Sequence, residues 1–137
     1  MEKILVAVYG SLRKNLGNHS LIEDSKYLGE EWTEDGYTMI SLSAFPGVYE
    51  DESGGKVKIE IYEVDSYTAA RLDMLEGYSG EDSSRNFYNK KIIETSHGPT
   101  YIYFINDSYR GRNNIVEGGD WTEFYMNERK QKYATKS

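Results

Sequence analysis

The chain has 137 residues, 16 Lys and Arg against 23 Asp and Glu, a formal charge of −7 and no cysteine. That length implies one domain, residues 1–137, and its 13 Tyr within 14% aromatic content support a hydrophobic core and exclude a disordered chain. The acidic balance argues against nucleic acid as a partner, and the lack of Cys removes disulfides, thiolate chemistry and Cys-ligated zinc.

Ile4 to Tyr9 is an apolar, β-branched run that stops at Gly10 and reads as a strand buried on both faces. It is too short for a signal-peptide core and no small-residue cleavage pattern follows it. No apolar run approaches the roughly 18 residues of a transmembrane helix, so the expectation is a cytoplasmic protein without a membrane partner. Gly10-Ser11 turns the chain. Arg13 to Asn18, with Gly17, has loop composition, and Asn18 to Ile22 suits a short helical turn. From Tyr27 to Tyr49 the pattern breaks at Gly29, Gly36 and Pro46-Gly47, and only Gly36 to Leu42 alternates as a strand does. Asp51 to Gly55 reads as a hairpin-type connection.

Val57 to Val64 is the clearest strand, with Val57, Ile59 and Ile61 on one face and Lys58, Glu60 and Tyr62 on the other. Asp65 or Ser66 caps the helix that follows, Ala69, Leu72 and Leu75 form its stripe, and Gly77 ends it. Phe87 to Glu94 and Thr100 to Ile105 are two further strands. Asp120 and Glu123 resemble a capping box opening a last helix. The cations Arg129, Lys130, Lys132 and Lys136 near its end read as a solvated face close to the negative pole of the dipole. There is no internal repeat. The sum is an α+β domain.

Three places can carry chemistry. Tyr9-Gly10-Ser11-Leu12-Arg13 ends a buried strand, where successive amides can form an anion nest or simply an ordinary turn. Glu76 lies four residues after Leu72, on the inward stripe at a helix C-terminus. Burial and the dipole there both raise a carboxyl pKa, unless the helix end frays into water. Asp73 is one position off Leu72 and reads as outward-facing. Gly118-Gly119-Asp120-Trp121 is explained by a helix cap, with Trp121 as a core or rim anchor. His19 and His97 lack partners at ligand spacing, so no metal site is expected. Ser11 is outside a Gly-x-Ser-x-Gly elbow and reads as a hydrogen-bonding residue.

The order of these motifs is more specific than any one of them. Tyr9-Gly10-Ser11-Leu12-Arg13, Asn18-His19, Phe45-Pro46-Gly47-Val48, Leu72-Asp73-Met74-Leu75-Glu76-Gly77, Tyr88, Tyr101-Ile102-Tyr103 and Gly119-Asp120-Trp121 together resemble the γ-glutamylcyclotransferase-like family, which includes AIG2-like proteins and γ-glutamylamine cyclotransferases. The resemblance implies a small mixed β-barrel with flanking helices and a cavity at one end. It implies that Tyr9, Gly10, Ser11 and Leu12 bind the glutamyl carboxylate, that Glu76 is the catalytic acid and base, and that Tyr88 lines the substrate site. Two positions depart from the family pattern: Ile59 stands where a Gly usually precedes the strand Glu, here Glu60, and Lys90 stands where an Arg often follows Tyr88 by two residues. Arg and Lys differ at bidentate sites, so an altered substrate or weaker activity would follow.

The implied reaction needs no cofactor. The α-amine of a small-molecule γ-glutamyl substrate attacks its own γ-carbonyl, releasing 5-oxoproline and an amine. An inactive binding module on the same fold, or an interaction protein using exposed aromatics, are the alternatives. Nothing in the sequence signals an oligomeric state.

Overall fold

The computed structural model describes residues 3–14, 16–80, 85–110 and 114–134, backbone only from 130 onward. Its strands are β1 (Ile4–Val8), β2 (Lys26–Trp32), β3 (Tyr37–Ser41), β4 (Pro46–Glu50), β5 (Lys58–Val64), β6 (Tyr88–Thr95) and β7 (Gly98–Ile105), and its α-helices are α1 (Ser66–Leu75) and α2 (Trp121–Ala134). The short turn foreseen after Asn18 is a 3-10 helix, His19–Leu21.

Five strands form one sheet in the order β2-β5-β1-β7-β6. β1 lies in the middle, antiparallel to β5 and parallel to β7. A central strand is covered on both faces, which is why its sequence is apolar without alternation. Val6 and Val8 pack with Tyr62, Leu72, Tyr103 and Ile105, whereas Ala7 and Tyr9 pack with Ile59, Ile61, Phe104 and Trp121. β3 and β4 form a separate hairpin. The α+β class therefore holds. The strands make an open sheet and a hairpin, not the closed barrel that the family resemblance implied.

Two strands escaped the sequence reading. β2 is an edge strand, half exposed, with Gly29 at a register shift and two Glu in its middle, so no apolar alternation marks it. β4 starts at a proline, where a strand is hard to foresee. Asp51 to Gly55 does not join a hairpin: β4 pairs with β3, and the segment carries the chain from the hairpin to the sheet.

Helix α1 explains how two distant parts of the chain meet. Its cap is Asp65, whose carboxylate accepts from Thr68 N at 2.7 Å. β5 ends at Val64 opposite Ile4, the start of β1. Ten helical residues rise about 15 Å. Five strand residues span about 17 Å. The helix thus returns along the sheet and delivers its last turn to the far end of β1. At about 100° per residue, Ala69, Leu72, Asp73 and Glu76 share an arc of about 100°, and Leu75 falls about 60° outside it. This corrects two expectations: Leu75 is 46% exposed, and Asp73 faces inward, accepting a hydrogen bond from the Tyr103 hydroxyl.

Arg13, read as part of a polar loop, is buried. Its Nε donates to Glu60 Oε2 and its Nη1 to Asp120 Oδ1, both at 2.9 Å. Asp120 is therefore more than a cap, although it also accepts from Glu123 N at 3.3 Å. Trp121 is a core residue, 1% exposed. Among the cations near the end of α2, the Lys130 and Lys132 side chains and all of Lys136 lie outside the described residues.

Replacing Arg13 by Met leaves the Glu60 carboxylate buried without its cation. We expect a loss of about 3–5 kcal/mol in urea unfolding, whereas Met74→Ala at the exposed end of α1 costs under about 0.5 kcal/mol.

Candidate active site

The loop after β1 comes close to the hairpin because residue 10 has no side chain. A Cβ on Gly10 would sit 2.7 Å from Cδ of Pro46. The loop closes through Arg13 N to Gly10 O at 2.9 Å and Asn18 N to Ser11 O at 2.8 Å. Asn18 Nδ2 donates to Ser11 Oγ at 2.8 Å, so the serine hydroxyl keeps its own proton to donate. The backbone N–H groups of Gly10, Ser11 and Leu12, three successive residues, donate to no protein acceptor among the described residues. Glu60 secures the far side of this loop, since its Oε1 accepts from Lys14 N at 3.0 Å and from the Tyr62 hydroxyl at 2.9 Å.

Glu76 is the C-cap of α1. The helix ends with Tyr78 N donating to Asp73 O at 2.9 Å and Gly77 N donating to Met74 O at 3.2 Å. Gly77 makes this possible with a φ of 68°, a conformation that side chains disfavour. The Glu76 carboxyl has neither a hydrogen-bond partner nor an ion pair among the described residues. Burial pushes its pKa up to about 7. Burial is one of the two influences foreseen from the sequence.

A cavity of about 470 Å³ lies between the loop and the helix end. Tyr9, Gly10, Ser11, Leu12, Glu76 and Tyr88 all line it, so the structure brings together the six site residues implied by the family resemblance, whereas Arg13 and the 118–121 segment do not border it. The tyrosine hydroxyls are already committed. Tyr9 donates to Tyr103 O, and Tyr88 donates to Pro46 O at 2.6 Å. Burial first, and then the nearby Glu76 and a neighbouring tyrosine, hold both phenols well above the usual range, as neutral donors.

Tyr103 also lines the cavity and was not singled out as a site residue. Its hydroxyl reaches Asp73, which pairs with Lys90 Nζ at 3.1 Å. Lys90 lies over the Tyr101 ring, 4.5 Å from its centroid. Neither Lys90 nor Ile59 borders the cavity: Ile59 is fully buried in the opposite core cluster, and Lys90 acts behind Tyr103. No sequence spacing signals the Asp73–Lys90 pair, which depends on α1 packing across β6 and β7. His19 Nδ1 is 2.9 Å from Leu12 O. The described residues gather no group of three His, Cys, Asp or Glu suited to a metal. No described helix is long and apolar enough to cross a membrane.

Comparison with known proteins gives the family. The profile of a family described as gamma-glutamyl cyclotransferase, AIG2-like, matches residues 6–123. A Vibrio cholerae protein carrying a provisional gamma-glutamylcyclotransferase name is 35% identical over 119 residues, covering 87% of this chain and 96% of its own. The gamma-glutamylcyclotransferase family protein YtfP of Escherichia coli K12 is 32% identical over 118 residues, covering 86% of this chain and 96% of its own. The crystal structure of PH0828 from Pyrococcus horikoshii superposes with a TM-score of 0.74 at 27% identity, over 92% of this chain and 96% of that one. A family profile spanning most of the sequence, relatives above 30% identity over nearly their whole length, and a shared fold place this chain in the gamma-glutamylcyclotransferase, AIG2-like family.

Proposed function

We propose that the cavity cyclises a γ-glutamyl compound to 5-oxoproline and releases its amine. The observation that carries this reading is an unpaired carboxyl, Glu76, with its pKa pushed up to about 7, facing the same cavity as the free amides of Gly10, Ser11 and Leu12. The amides take the substrate's α-carboxylate, and the Ser11 hydroxyl adds a donor. The glutamyl chain then folds so that its α-nitrogen meets its γ-carbon, and holding that geometry is worth up to about 7–11 kcal/mol.

Glu76, as carboxylate, removes a proton from the α-ammonium. The freed amine forms a bond from nitrogen to the γ-carbon and closes a five-membered ring. The bond from that carbon to the leaving nitrogen breaks as Glu76 returns the proton to it, and a second proton, shed by the ring nitrogen as it becomes an amide, passes to the departing amine, which leaves as an ammonium. Atoms and charge balance without an oxidant or a second substrate. A carboxyl with its pKa at about 7 is suited to both transfers near neutral pH. The rings of Tyr9, Tyr88 and Tyr103 give the cavity apolar walls. Ile59 and Lys90, the two departures from the family pattern, both lie outside the cavity and give an inactive binding module no support at the site.

Glu76→Gln keeps the shape of the side chain and removes the base. It should leave the circular dichroism spectrum unchanged and lower 5-oxoproline release at least about a hundredfold. A comparable rate in the variant would overturn the assignment. The wild-type kcat/KM should rise with pH through about 7, as the carboxyl loses its proton. Stability should move the other way. The folded pKa lies above the ordinary value of 4.5, so the contribution of Glu76 is whole below that pH and is lost as pH rises through about 7. Urea unfolding across this range should show the decline in the wild type and not in Glu76→Gln. Gly10→Ala drives a methyl into the Pro46 ring, displaces the amides and should raise KM about tenfold or more.

A further inference from the structure

Three phenols surround Glu76: Tyr9 just after β1, Tyr88 from β6 and Tyr103 from β7, all lining the cavity with it. Burial first raises the pKa of each, and the charge of Glu76 is among the further causes at all three. A buried carboxylate ordinarily takes a donor within reach, because an unpaired anion is costly there. Glu76 takes none of these. A phenol has one proton to give, and each gives it elsewhere. Tyr9 donates to Tyr103 O, Tyr88 to Pro46 O at 2.6 Å, and Tyr103 to Asp73 Oδ1 at 2.5 Å.

Two of these acceptors are backbone carbonyls. The third is a side chain. Asp73 lies three residues before Glu76 on the same arc of α1, and residues at that spacing are neighbours, with Cβ atoms about 5–6 Å apart. A phenol that reaches one of the two carboxyls therefore lies beside the other. Lys90 Nζ holds the same oxygen of Asp73 at 3.1 Å, and the two side chains are 13% and 26% exposed, so the acceptor is fixed and largely withdrawn from water. An ion-paired carboxylate is also a stronger acceptor than a carboxyl about half protonated near neutral pH.

We propose that Asp73 is a positioning residue for Glu76: it takes the Tyr103 proton, and so leaves the Glu76 carboxyl without a partner and ready to exchange a proton with a ligand in the cavity. This rests on the reading of Glu76 as acid and base, and adds to it a residue that touches no substrate. Without the Asp73 acceptor, Tyr103 would turn its hydroxyl to the Glu76 carboxylate. A hydrogen bond to the charged form favours that form, so Glu76 would become a weaker base. No Lys, Arg or His among the described residues lines the cavity, and the other titratable groups facing Glu76 are the two phenols committed to carbonyls.

The test reads Glu76 directly. Its carboxyl is titrated by carbon NMR, with Glu76→Gln identifying the signal, in the wild type, Tyr103→Phe, Asp73→Ala and the double variant. Within each background the charges of Asp73 and Lys90 are unchanged by Tyr103→Phe, so the comparison isolates the phenol proton. Tyr103→Phe should leave the Glu76 midpoint within about half a pH unit in the wild type, and raise it by at least about one pH unit in Asp73→Ala. If Asp73→Ala, which leaves Lys90 unpaired, does not fold, Asp73→Leu with Lys90→Met replaces the pair by apolar groups and serves as the second background. A rise in the second background no larger than in the first overturns the proposal. Release of 5-oxoproline from γ-glutamylalanine and γ-glutamyl ethylamide is followed over the same pH range, and the acid limb of kcat/KM should move with the NMR midpoint. An acid limb that stays put while the midpoint moves overturns Glu76 as the base. The expected NMR pattern without turnover upholds the role of Asp73 and overturns the cyclisation. Turnover without that pattern does the reverse, and absence of both overturns the two together.

Discussion

Arg13 carries its charge inside the protein, and the geometry of the cavity depends on how that charge is balanced. Burial opposes the guanidinium charge, and the hydrogen bonds to Glu60 and Asp120 outweigh it and hold the pKa above its usual value. Those partners come from β5 and from the head of α2, so one side chain ties the loop after β1 to two elements far apart in sequence. Glu60 is itself satisfied by Lys14 N and the Tyr62 hydroxyl. A buried ion cluster is costly to assemble, and it tolerates few alternative geometries. Here that rigidity fixes the loop that carries the free amides.

The same residue type takes opposite roles at two places in this fold. Glu60 is surrounded by donors and acts as a fixed anion. Glu76 has none among the described residues, and burial pushes its pKa up to about 7. The difference is one of context: Glu60 faces a cationic loop, whereas the end of α1 faces a hollow. Asp73, one turn before Glu76, has its charge neutralised by Lys90, which in turn lies among tyrosine rings. The neighbouring carboxylate is thereby kept engaged behind the cavity wall.

The tyrosines serve chiefly as struts. Tyr88 links β6 to the start of β4 through Pro46 O, and Tyr9 links the end of β1 to β7 through Tyr103 O. The Tyr88 bond braces the hairpin against the open sheet where a closed barrel would use a continuous ladder, and the Tyr9 bond ties two strands of the sheet together. The hydroxyls are consumed in this bracing, and what the rings present to the cavity is apolar surface. That surface suits a site in which water must be kept from a reacting carbonyl.

Local pattern determined a great deal of this protein. The apolar run Ile4 to Tyr9, the alternation from Val57 to Val64, the Asp65 cap and the Gly77 stop each follow from short-range physics, and the fold has the strands Ile4–Val8 and Lys58–Val64, the cap and the stop there. The motif order also pointed to Glu76, the Tyr9–Leu12 segment and Tyr88, which do line one cavity. Tertiary structure alone decided the rest. The edge strand β2 lacks a pattern because half of it faces water. Whether Asp73 or Leu75 turns inward depends on a rotation of a few tens of degrees about α1, which sequence spacing of three and four residues does not resolve. The Arg13 cluster joins positions 13, 60 and 120, and Lys90 finds Asp73 across a sheet. Charge pairing and desolvation depend on distance in space, and distance in space is set only when the strands have found their order.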